Sequence, residues 1–100
     1  MIRFKQTSKE YGDCTADYEV ILDKQYTVRE FVSYVLSQKD EWGTIQIYDP
    51  DKSWLDYDRY EYRYGKLNDN IPTEIMEKKI VSISARGGWS AMDYILKLEQ

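Results

Sequence analysis

One stretch of this chain satisfies every local requirement of a helix, while most of its surroundings alternate as strands do. Thr27-Val28-Arg29-Glu30 has the form of a capping box, in which the Thr27 hydroxyl accepts from an orphan helix amide and Glu30 bonds back to the Thr27 amide. Behind it Val28, Phe31, Val32, Val35 and Leu36 fall at i, i+3, i+4, i+7 and i+8, a single apolar stripe. The spacing predicts a main helix over residues 28–38, closed before Gly43. A lone amphipathic helix must bury its stripe against something, and in a chain rich in period-two segments that something is a sheet.

The alternating segments give the rest of the order. Residues 2–7 and 17–23 read as an opening hairpin with a long polar loop around Gly12, and residues 44–48 put Ile45 and Ile47 on one face. Asp49-Pro50-Asp51-Lys52 has turn chemistry. Residues 59–64 alternate without a break, with Tyr60, Tyr62 and Tyr64 on one side and Arg59, Glu61 and Arg63 on the other. Pro72-Thr73-Glu74-Ile75-Met76 suggests a helix of one or two turns with proline at its start. Residues 79–85 place Val81, Ile83 and Ala85 together, Gly87-Gly88 supplies a turn, and Met92, Tyr94, Leu96 and Leu98 form the apolar face of a closing strand. The expected fold is a single α+β domain over residues 1–100, ordered ββαββ(short α)ββ. Its main helix packs on a mostly antiparallel or mixed sheet of five to six strands.

The segments from Asp17 to Leu36, and from Tyr64-Gly65-Lys66-Leu67 through Ile75 to Ala85, carry an order of elements that resembles the β-grasp fold of ubiquitin-like domains. That resemblance implies a mixed sheet in which the first and last strands lie side by side. Arg86-Gly87-Gly88 is similar to the di-glycine tail through which such modifiers are conjugated. Here a patterned strand follows it, so a Gly-Gly hairpin turn is the expected reading.

The composition removes much chemistry. There is no histidine, hence no imidazole base and no Ser-His or Cys-His dyad. Cys14 is the only cysteine, and Asp13 and Asp17 beside it oppose a thiolate, so it reads as an inert thiol. The sequence shows no phosphate loop, no nucleophile elbow and no redox pair. The expectation is therefore no enzyme, no catalytic residue, no cofactor and no dedicated metal site. The N-terminal residues alternate instead of forming an apolar leader, and the helix at 28–38 holds Arg29, Glu30, Ser33 and Gln38, so a cytoplasmic, non-membrane location is expected.

Two features remain as candidates for function. The chain carries a net charge of −4, and residues 40–58 alone contribute six carboxylates against Lys52. Within this block Asp49, Asp51 and Ser53 match the opening of a calcium loop, but Trp54 stands where that loop needs glycine and Tyr60 where it needs a bidentate glutamate. The second feature is the tyrosine ladder with Trp54 and Tyr57 upstream; its rings either roof the core or form an exposed patch, and period two leaves both open. Trp42 and Trp89 are expected to cap the helix end and the closing turn. The functional expectation is a non-catalytic interaction module, regulatory or inhibitory, for a protein partner with a basic surface. Trp54, Tyr57, Tyr60 and Tyr62 would be its anchors, and Asp49, Asp51, Asp56 and Asp58 would set orientation and on-rate. The alternatives are a small-ligand or divalent-metal domain and a self-associating homodimer. Nucleic acid ranks low, because alternation separates the ladder from Arg59 and Arg63.

Overall fold

A computed structural model describes residues 1–50, 57–88 and 90–99. Nine elements follow one another: β1 (Arg3–Gln6), β2 (Ala16–Ile21), α1 (Val28–Ser37), β3 (Trp42–Tyr48), β4 (Asp58–Arg63), β5 (Lys66–Leu67), α2 (Thr73–Met76), β6 (Ile80–Gly87) and β7 (Ala91–Leu98). The strands form one mixed sheet in the order β1-β2-β6-β7-β3-β4-β5. The α+β reading with one main helix holds, with seven strands rather than five or six, because the two-residue β5 adds an edge.

Helix α1 starts where its capping box predicts. The Glu30 amide donates to Thr27 Oγ1 at 3.2 Å, and the Thr27 amide donates to Glu30 Oε1 at 3.1 Å. Val28, Phe31, Val32 and Val35 are all buried, so the sequence stripe is the core-facing stripe.

The sheet order comes from one insertion. β2, α1 and β3 make a crossover between parallel strands, since β2 opposes β6, β6 opposes β7, and β7 runs parallel to β3. The crossover leaves a gap two strands wide, and the β6–β7 hairpin fills it. Helix α1 lies over that hairpin: the Phe31 and Tyr94 rings meet edge to face with centroids 5.2 Å apart. The fully buried Tyr94 ring also approaches Phe4 at 6.3 Å and Tyr62 at 6.4 Å, which ties both halves of the sheet to one aromatic centre.

This order differs from that of the β-grasp resemblance. β1 borders only β2, at an edge, and the last strand lies inside the sheet between β6 and β3. Gly87 belongs to β6, paired with Ala16 on one side and Met92 on the other, and the Gly88 amide closes the turn on the Ala91 carbonyl at 3.0 Å. The glycines therefore make a hairpin.

One strand changes face midway. A register shift between Ile80 and Ser82 inserts an extra residue, so Ile80 is buried while Val81 is 62% exposed. Unbroken alternation had grouped Val81 with Ile83 and Ala85; beyond the bulge Ile83 and Ala85 do face the core. Among the described residues no helix is long and apolar enough to cross a membrane.

Candidate functional site

Strand alternation divides the sheet into a core face and an open face. On β3, Ile45 and Ile47 are buried beneath the helices, which sends Trp42, Thr44, Gln46 and Tyr48 to the opposite side. Register then assembles the open face around them. Gln46 lies between Arg59 of β4 and Ile95 of β7, while Thr44 lies between Glu61 and Asp93. Beyond β7, Ser84 stands opposite Ile95, and Arg86 opposite both Asp93 and Asp17.

Two depressions mark this face. One, of about 310 Å³, is lined by Tyr48, Tyr57, Ser82, Ser84, Ile95 and Lys97. Its aromatic wall comes from Tyr48 and Tyr57, whose centroids are 5.7 Å apart. The other, of about 340 Å³, runs along Trp42, Thr44, Arg59, Glu61, Arg63 and Asp93. There the Arg63 guanidinium lies 6.0 Å from the Trp42 ring centroid, within cation–π range. Trp42 is 44% exposed, Tyr57 52% and Ile95 37%, so apolar surface is offered at both ends and in the middle.

The face is organised by hydrogen bonds between its own side chains. Thr44 Oγ1 donates to Asp93 at 2.7 Å, and Gln46 Nε2 donates to Thr44 Oγ1 at 3.2 Å. Arg86 Nε donates to Asp17 at 2.6 Å, and Tyr11 Oη donates to the other oxygen of Asp17. These bonds hold the Asp17 carboxyl below the ordinary aspartate range, Arg86 contributing most and Tyr11 next.

The sequence-predicted site residues separate across the molecule. Of the predicted rings among the described residues, Tyr57 alone sits in the open face. Tyr62 is 2% exposed, faces the helices and donates its hydroxyl to the Met92 carbonyl at 2.8 Å; burial raises its pKa further above the usual phenol value. Tyr60 packs partly covered against the same core. Tyr64 lies past the end of β4, exposed, in a left-handed conformation at φ 50°. The ladder thus roofs the core at Tyr60 and Tyr62, a correction to their place as surface anchors. The physical reason is the pairing of Ile45 with Tyr60 and of Gly43 with Tyr62, which puts these rings on the side of the buried isoleucines.

The acids disperse in the same way. Asp49 is 3% exposed, with Lys78 Nζ bonded to its carboxylate oxygens at 2.9 and 3.1 Å. It is a structural ion pair and not an exposed steering charge, and a calcium ion would have to displace that ammonium. Glu41 is half-buried, accepts from Tyr94 Oη at 3.3 Å and has its pKa raised by burial. Asp58 is partly covered at the first position of β4. Trp54, Asp51 and Asp56, together with Trp89, lie outside the described residues. Among the described residues no group of three or more acids or cysteines is placed to hold a metal ion. Cys14 is exposed in the β1–β2 loop at φ 66°.

Trp42 is the residue the sequence reading misplaced most. It is not a cap on the helix core but the first residue of β3, on the open face. The signal was available: three positions separate it from Ile45, so a strand continued back through Gly43 puts the two on opposite faces. No family model, curated protein or solved structure matches the chain.

Proposed function

We propose that this domain is a non-catalytic interaction module that engages another macromolecule through the open face of its sheet. The observation that carries the reading is one-sided cover. The buried stripe of α1 and the buried Ile75 of α2 join the same core as the inward face of the sheet, and the other face presents Trp42, Tyr57 and Ile95 among charged and amide side chains. Large rings set in a polar surround are the usual composition of a binding patch. Among the described residues that line its depressions there is no activated nucleophile or acid–base pair, so the support favours binding over chemistry. The face replaces the acidic block as the proposed surface, since Asp49 and Glu41 bond within the fold.

The test is a site-specific cross-linker. A benzophenone side chain replacing Gln46, at the centre of the open face, is expected to give discrete adducts in extracts of the source cells. The same group replacing Ser33, on the exposed side of α1, is expected to give none. Adducts from position 33 and none from position 46 would overturn the proposal.

A further inference from the structure

The open face has a charge opposite to that of the chain. Seven cations point to it from β1, β4, β5, β6 and β7, against the four carboxylates of Asp17, Glu19, Glu61 and Asp93, in a protein whose net charge is −4. The excess is also unneutralised. Arg86 is spent on Asp17, whereas Arg59, Arg63, Lys66 and Lys97 make no ion pair among the described residues. The intervening acids are held by neutral donors, Asp93 by Thr44 and Glu61 by Asn68.

Resting on the interaction-module reading, we infer that the occupant of this face is an acidic polypeptide segment carrying apolar side chains between well-separated carboxylates. The spacing of the free cations argues for it. Arg59 and Arg63 are four residues apart on one strand, ~13 Å, and Arg59 and Lys97 are offset by two strands and two residues, ~12 Å. Between the arginines stands Glu61, and across Thr44 from it, two strands away, Asp93. A polypeptide can place carboxylates over the arginines and an uncharged side chain over Glu61. A nucleic acid strand carries a charge at every nucleotide and meets Glu61 and Asp93 with its phosphates. The rings agree with this: Trp42 and Tyr48 stand at opposite ends of β3, six residues or ~20 Å apart, too far to stack neighbouring bases but suited to separate apolar side chains.

Titration of the isotopically labelled domain at pH 7 with three probes decides the matter: a peptide repeating Glu-Ser-Leu-Ser, which puts carboxylates four residues apart with a leucine between, poly-L-lysine, and single-stranded oligo-dT, with amide shifts and affinity read at low and high salt. The Glu-Ser-Leu-Ser peptide is expected to shift the amides of Thr44, Gln46, Arg59 and Ile95, and to bind at least about tenfold more weakly to an Arg59→Glu, Lys97→Glu variant with unchanged melting temperature. That factor, ~1.4 kcal/mol, is what reversing two exposed charges yields at a few tenths of a kcal/mol per pair. Tighter binding of oligo-dT on the same residues, or binding of poly-L-lysine there, would overturn the acidic-polypeptide inference. So would adducts from position 46 without any response to the Glu-Ser-Leu-Ser peptide, which would leave the interaction module standing. Loss of the position-46 adducts themselves would remove the module reading instead.

Discussion

Replacing Gly43 with alanine tests the junction on which the open face depends. Gly43 sits at φ +152°, outside the range that other residues adopt comfortably, in the parallel pairing of β3 with β7. A Cβ built there falls 1.9 Å from the Met92 carbonyl oxygen and 2.7 Å from its carbon. Both partners are backbone in the middle of the sheet, so a rotamer change cannot relieve the overlap; β3 must move away from β7. Forced overpacking costs ~1–3 kcal/mol and the backbone strain a further ~1–3 kcal/mol. The expected loss is ~2–6 kcal/mol, or at least about 8 °C in melting temperature for a domain of this size. The same carbonyl accepts the Tyr62 hydroxyl, so the effects of Gly43→Ala and Tyr62→Phe are expected to be less than additive. Gly12→Ala is the control, because nothing lies within 4 Å of its Cβ position and it changes stability by no more than ~0.5 kcal/mol. Urea denaturation followed by circular dichroism measures the parent, the three single variants and the Gly43→Ala, Tyr62→Phe double variant. A Gly43→Ala domain within ~1 kcal/mol of the parent would refute the β3–β7 pairing, and with it the row that joins Arg59, Gln46 and Ile95.

Further outcomes follow from side chains that the fold has committed elsewhere. Tyr62→Phe is expected to cost ~1–2 kcal/mol by depriving the buried Met92 carbonyl of its side-chain donor, whereas Tyr57→Phe on the open face stays within ~0.5 kcal/mol; the same denaturation series reads both. Lys78→Ala removes the ammonium that holds both oxygens of the buried Asp49 and is expected to cost ~3 kcal/mol, seen as a lower midpoint at unchanged m-value. Glu41 has a raised folded pKa, so the folded state holds its proton longer than the unfolded chain, and this group's contribution to stability falls as pH rises from its ordinary value through the folded one. Glu41→Gln removes that slope and keeps an acceptor for Tyr94, so its advantage over the parent should grow with pH and then level off in melts between pH 4 and 8. Asp17 carries the opposite sign: its depressed pKa gives stability that is present above the ordinary aspartate value and lost as pH falls through the folded one, so Asp17→Asn should flatten the acid limb.

The elements that could be read from the sequence were those whose determinants are local. The capping box, the α1 stripe and the Met92 to Leu98 alternation each involve neighbours within a turn or a strand, and each appears where its pattern lies. What escaped the sequence was set by pairing. Tyr60 and Tyr62 were correctly placed on one face of β4, but only their opposition to Ile45 and Gly43 says that this face is the inner one. The exposed position of Val81 follows from a bulge that alternation does not announce. Asp49 looked like part of a solvated turn because its partner, Lys78, is 29 residues away in sequence. The open face was the least legible feature, since its members come from all seven strands and are interleaved with core residues along the chain.

That dispersal has a physical origin in the inserted hairpin. Were β2 and β3 adjacent, α1 would cover the two strands it connects, and a narrow sheet would be left behind it. Opening the crossover to admit β6 and β7 widens the sheet to seven strands, while the described residues supply one helix of ten residues and one of four. A ten-residue helix is ~15 Å long and ~10 Å across, whereas seven strands at ~4.8 Å span about 29 Å. The helices, the buried tyrosines and the Asp49–Lys78 pair are all taken up in sealing the inner side of that sheet. The described residues provide no second layer for the outer side, on which Ile95 stays partly exposed and Trp42 and Tyr57 more so. Solvating such a face takes charge, and the charges present are mainly unpaired arginines and lysines. A layer contributed by another molecule would therefore cover the rings and neutralise those cations in the same contact, which links the exposed apolar surface and the inverted charge to one cause.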